Sequence, residues 1–180
     1  IRIAKGFDMR VIAFDVKPNE EAAKELGFDY VDMDTLLKES DVITLHVPGN
    51  KKTHHLLSND EFDQMKDGTV LINTARGSVV DVQAMIRALA EGKLAGAGLD
   101  VLSEEPVIRE EAELLRSVYQ RRHNLEDLLA DHVVLRLRNV VVTPHSAFNT
   151  KEAVGRIIKV TVDNIRAYAK GEPRNAVTES

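Results

Sequence analysis

Apolar and polar positions alternate along this chain with two different periods. Five short runs are apolar and mostly β-branched: RVIAFD (10–15), DVITLHV (41–47), TVLINT (69–74), AGAGLD (95–100) and NVVVT (139–143). Their length and composition predict buried strands. Between them lie helical patterns. NEEAAKELG (19–27) closes on a glycine stop signal, and DTLLKES (34–40) and SNDEFDQMKDG (58–68) each open on a capping residue. DVQAMIRALAEGKL (81–94) places Val82, Met85, Ile86 and Leu89 on one face. EEAELLRSVYQRRHNLEDLLADH (110–132) reads as a charged helical insertion between the last two strands, and TKEAVGRIIKVTVDNIRAYAKG (150–171) as a long amphipathic helix. Strand and helix in strict alternation predict an α/β fold, a doubly wound parallel sheet covered on both faces.

Composition narrows the chemistry. The chain has 180 residues, 43% hydrophobic and 29% charged, enough for one sizeable core. A formal net charge of -5 argues against a nucleic-acid partner, which favours a basic face. The absence of cysteine excludes disulfides, thiolate metal sites and a cysteine nucleophile, and suits a reducing cytoplasm. No apolar stretch approaches the roughly 20 residues of a membrane span. No leader peptide is read from the opening residues, which start at Ile1 rather than Met, so a missing start is expected.

An open parallel sheet binds its ligands outside the carboxyl ends of its strands. The residues expected at that edge are Asp15 after the first strand, and Val47 and Pro48 after the second. Thr74, Ala75 and Arg76 follow the third, Asp100 and then Glu105 the fourth, and His145 the fifth. Taken singly, Arg76 reads as a surface ion pair, Glu105 as a solvated loop acid, and His145 as a turn residue. Together an arginine, an acid and a histidine meet at one sheet edge, where the planar guanidinium fork suits an anion. His46, inside TLHVP, reads as a core histidine or one that backs a site residue. His54, His55, His123 and His132 read as loop or helix-surface residues without ligand-like spacing, so no metal site is expected.

LINTARGSVVD, AGAGLDVLSEEP and VVVTPHSA, in that order, resemble the three signature segments of the D-isomer-specific 2-hydroxyacid dehydrogenases. The interval from Arg76 to Glu105 is similar to the family's usual one. The long stretch between Glu105 and His145 resembles the D-lactate dehydrogenase-like branch. The resemblance covers nearly the whole chain and implies a Rossmann-type nucleotide-binding domain over residues 1–149. Residues 150–180 would form a C-terminal helix and tail returning toward a substrate domain. The family's glycine-rich turn, G-x-G-x-x-G, and the first strand are absent, so the domain is expected to be N-terminally truncated, with one central sheet position unpaired. The resemblance implies NAD as cofactor and a small 2-oxo or 2-hydroxy acid, such as pyruvate, as substrate. Arg76 would bind the substrate carboxylate or oxo oxygen. His145 would exchange a proton with the reacting oxygen, and Glu105 would fix its tautomer and favour the imidazolium. Asp15 would bond the adenosine ribose hydroxyls and disfavour a 2′-phosphate. Val47, Pro48 and Thr53 would line the adenosine side, and Thr74, Ala75, Arg76 and Asp100 the nicotinamide side. The resemblance also implies a cytoplasmic homodimer formed through the nucleotide-binding domains, with 81–94 and 110–132 near the interface. Without the phosphate-binding turn, residues 1–180 are expected to show no turnover. Two alternatives stay open: a hydroxypyruvate or phosphoglycerate-type dehydrogenase, and a non-enzymatic NAD(H)-sensing binding protein of the corepressor kind.

Overall fold

The computed structural model describes residues 1–102 and 125–176. The chain divides into two units, Ile1–Thr143 and Pro144–Ser180. In the first, strands and helices alternate: α1 (Arg2–Gly6), β1 (Ile12–Ala13), α2 (Glu20–Leu26), β2 (Asp29–Tyr30), α3 (Met33–Glu39), β3 (Val42–Leu45), α4 (Asn59–Gln64) and β4 (Thr69–Asn73). A 3-10 turn (Gly77–Val79), α5 (Val82–Glu91), β5 (Leu94–Leu99), α6 (Leu125–Val134) and β6 (Val140–Val142) follow. The second unit is dominated by α7 (Lys151–Ala169).

Every strand pairing is parallel. The strands form two sheets, β1-β2 and β3-β4-β5-β6. Among the described residues no ladder joins the two sheets. In the larger sheet the register sets Leu71 beside Ile43 and Ala97, and Asn73 beside Leu45 and Leu99. That set of side chains is buried, so it forms the floor of the core.

The helices over that floor are shaped by their sequence. Asp81 caps α5 by accepting from the Gln83 and Ala84 N–H groups, and Gly92 ends the helix in the left-handed region. Between these stops, Val82, Ala84, Met85, Ala88 and Leu89 are buried. Phe62 of α4 is fully buried in the same cluster, with Leu57 and Val79. Each such side chain contributes about 1.5–3 kcal/mol by leaving water. Cover is unequal on the two faces: Val42 and Val141, which point to the opposite side, stay 42% and 67% exposed.

Two local expectations are corrected. The first strand is shorter than the predicted 10–15, because only Ile12 and Ala13 pair. Their partner, Asp29–Tyr30, lies in a stretch too short and too acidic to read as a strand. The helix predicted to open on Asp34 is capped two residues earlier, by Asp32, whose carboxylate accepts from the Thr35 N–H at 2.7 Å. Of the predicted insertion 110–132, only its end is described: α6 runs to Val134 and returns Val134 to the core.

Candidate nucleotide and anion site

The site begins where β4 stops being apolar. Asn73 is the last strand residue and is 1% exposed. A buried amide needs partners. Its Oδ1 accepts from the Ala75 N–H and its Nδ2 donates to the Arg76 carbonyl, each at 3.0 Å. Its own carbonyl accepts from the Asp100 N–H at 2.9 Å, tying the end of β4 to the end of β5. This bracket turns the chain out of the sheet, buries Ala75 and leaves Arg76 exposed at the strand's mouth. A cation therefore closes a buried segment without being buried itself.

The turn is also held from the outer side. The Arg76 carbonyl accepts a second bond, from the Val79 N–H. The N–H groups of His55 and Leu57 donate to the carbonyls of Ser78 and Val79, and Asp81 N–H donates to Leu57. The Arg76 guanidinium donates from Nη1 to the Ala75 carbonyl at 2.7 Å.

The loop after β3 forms the neighbouring wall. Val47 packs partly against the core. The Thr53 hydroxyl donates to the Pro48 carbonyl and accepts from the Asn50 N–H, so this predicted cofactor residue also holds its own loop closed. Gly49 lies directly against the arginine: a Cβ there would stand 2.9 Å from Arg76 Cγ.

The remaining residues are placed as follows. Asp15 is exposed just beyond β1, with one carboxylate oxygen accepting from the Lys17 N–H at 2.8 Å. The Asp100 carboxylate accepts from the Thr143 hydroxyl, joining the ends of β5 and β6. Thr74 is exposed beside Arg76. Glu105 and His123 lie outside the described residues. His145 is the second residue of the second unit, half-buried, with a left-handed backbone (φ 49°) that is uncommon for a residue with a Cβ. His46 is exposed rather than in the core, because its strand position falls on the less covered face; Thr44 Oγ1 lies 3.0 Å from its Nε2. His54 and His55 are exposed loop residues whose rings stack at 4.0 Å, and His132 is exposed on α6. Among the described residues no cluster of three acidic or histidine side chains could hold a metal ion.

Asn73 and Gly49 were not singled out by sequence reasoning. An asparagine closing an apolar run just before a polar stretch is a turn signal that points to the first. Nothing local marks Gly49, whose role depends on a side chain far away in sequence.

Parallel sheets whose carboxyl edges present an exposed acid after β1 and a bracketed arginine after β4 are the frame of a nucleotide-binding α/β domain. The sequence pattern of the family described as D-isomer specific 2-hydroxyacid dehydrogenase, NAD binding domain, matches residues 1–147, and the chain belongs to that family. It is 43% identical over 177 residues to a glyoxylate reductase of Thermococcus litoralis, covering 98% of this chain and 47% of that protein. It is 42% identical over 175 residues to a D-lactate dehydrogenase of Escherichia coli, covering 96% of this chain and 50% of that one. Among solved structures, the D-lactate dehydrogenase of Aquifex aeolicus complexed with NAD and lactic acid superposes with a TM-score of 0.82 at 40% identity. That match covers 94% of this chain and 49% of the Aquifex chain. The chain thus spans about half the length of the curated relatives it matches.

Proposed function

We propose that this chain is the nucleotide-binding part of an NAD-dependent D-2-hydroxyacid dehydrogenase that interconverts a small 2-oxo acid, such as pyruvate, with its D-2-hydroxy acid. The observation that carries this reading is the Arg76 turn: a buried amide fixes the arginine's backbone while its side chain stays at the carboxyl edge of the sheet.

The residues present fit the cofactor. Asp15, exposed just beyond β1, is an acceptor suited to a ribose diol, and its charge disfavours a 2′-phosphate. Val47, Pro48 and Thr53 would bound the adenosine side, and Thr74, Ala75, Arg76 and Asp100 the nicotinamide side. NAD, when bound, supplies or accepts the hydride. Arg76 grips the substrate's carboxylate or oxo oxygen with paired N–H donors. His145 delivers a proton to the substrate oxygen on reduction and takes it back on oxidation. Glu105 is assigned the role of holding the imidazole in the productive tautomer.

The test is steady-state kinetics on the intact protein. Arg76→Lys keeps the charge but loses the fork, so KM for the 2-oxo acid rises and kcat falls. His145→Ala lowers kcat roughly 10²–10⁴-fold. Glu105→Gln lowers kcat, because the imidazole is no longer held in the productive tautomer. An unchanged kcat in that variant counts against the pairing. The identity to a glyoxylate reductase, 43%, supports glyoxylate as a second substrate reading, which a panel of 2-oxo acids resolves. The family relation also supports a homodimer, and a monomer in sedimentation at micromolar concentration would refute it.

A further inference from the structure

We infer that Gly49 is a positioning residue for Arg76: the absence of a side chain at 49 sets where the arginine can reach. The inference rests on the reading of Arg76 as the group that binds the substrate carboxylate.

A Cβ at position 49 would lie 2.9 Å from Arg76 Cγ, 3.2 Å from Arg76 Cβ and 3.6 Å from Ser78 Oγ. The first two are the root of the arginine side chain, not its flexible end. Neither backbone can retreat cheaply. The Arg76 carbonyl is bonded by Asn73 Nδ2 at 3.0 Å and by the Val79 N–H at 3.2 Å. The loop carrying Gly49 is closed by Thr53 on both sides, through the Pro48 carbonyl and the Asn50 N–H. The 3.2 Å contact at Cβ asks for a shift of only a few tenths of an ångström, but the closer one at Cγ has to be relieved by turning the arginine about χ1. Side chains move between staggered wells about 120° apart, so relief carries the guanidinium to a different place. Gly49 itself is exposed and lies outside the left-handed backbone region, so alanine there adds no backbone strain of its own.

The test compares wild type, Gly49→Ala, Arg76→Ala and the double variant in the intact protein. The readouts are KM for the 2-oxo acid, KM for NADH, and calorimetric binding of oxamate, a 2-oxo acid mimic, in the presence of NADH. Gly49→Ala is expected to raise KM for the acid and weaken oxamate about 10- to 100-fold, the loss of a charge-assisted hydrogen bond. KM for NADH is expected to change less than KM for the acid. In the Arg76→Ala background, Gly49→Ala should change nothing further. If Arg76→Ala weakens the acid while Gly49→Ala does not, the positioning role is wrong and the function stands. An equal effect of Gly49→Ala in both backgrounds likewise overturns it, since the loop would then act without the arginine. If Arg76→Ala leaves acid binding unchanged, the function reading falls and takes this inference with it.

Discussion

Two single residues show what a side chain's partners decide. Asn73 holds the arginine turn with both ends of its amide. Asn73→Ala deprives the buried Ala75 N–H of its acceptor, at about 1–3 kcal/mol for an unsatisfied buried group. Denaturant unfolding should show that loss, and oxamate binding should weaken with it, because the arginine is no longer anchored. Asp32 works at the surface. Its bond from the Thr35 N–H holds its carboxyl below the ordinary carboxylate range. The folded state therefore favours the ionised form. Its stabilisation is present above the ordinary carboxylate range and fades as pH falls through the depressed value. Asp32→Asn keeps an acceptor without the charge, so unfolding midpoints measured down through the acid range should lose that part of their pH dependence. A variant as acid-sensitive as wild type would mean the cap does not act through its charge. Arg76 was legible in the sequence because an apolar run ends just before it. Asn73's role was not, because its second bond reaches across a turn whose shape the run does not encode.

Elements were legible where their apolar runs were long. β3, β4, β5 and β6 fall on the predicted runs, and of the predicted face of α5 Val82, Met85 and Leu89 are buried while Ile86 is only partly so. The sequence misjudged β1 and missed β2, since a two-residue parallel pair shows no alternation and is held by its partner alone. The glycines of AGAGLD have reasons that only neighbouring strands reveal. A Cβ at Gly96 would stand 2.7 Å from the Asn139 carbonyl oxygen, a backbone atom that already accepts from the Ala97 N–H. A Cβ at Gly98 would meet the tip of Ile72 at 3.1 Å, which can turn aside. Gly96→Ala should therefore cost about 1–3 kcal/mol, the usual penalty of overpacking, and Gly98→Ala less. Thermal unfolding of the two variants checks the order. Equal losses would mean that β5 and β6 separate freely.

At the scale of the molecule, the alternation of strand and helix predicted a parallel α/β fold, the resemblance of the three signature segments implied nucleotide binding, and family membership over residues 1–147 agrees with both. The unequal cover of the two sheet faces was not legible, because buried parallel strands are apolar on both sides whichever side is covered. Nor does periodicity show which acid is the substrate, and relatives acting as glyoxylate reductase and D-lactate dehydrogenase match almost equally, at 43% and 42% identity. Among the described residues no helix is long and apolar enough to cross a membrane. Cofactor choice belongs to this scale as well. With Asp15 exposed just beyond β1, the intact protein should prefer NADH to NADPH, and Asp15→Ala should narrow the preference. Equal use of both cofactors by wild type would remove Asp15 from the site. The most direct test of the whole account is the oxidation of NADH by the intact protein with pyruvate and with glyoxylate, followed by chiral analysis of the lactate formed. The account predicts turnover with at least one of these acids, D-lactate as the product from pyruvate, and a raised KM for the acid in Arg76→Lys. L-lactate, or a folded protein that binds NADH but reduces no 2-oxo acid, would contradict it.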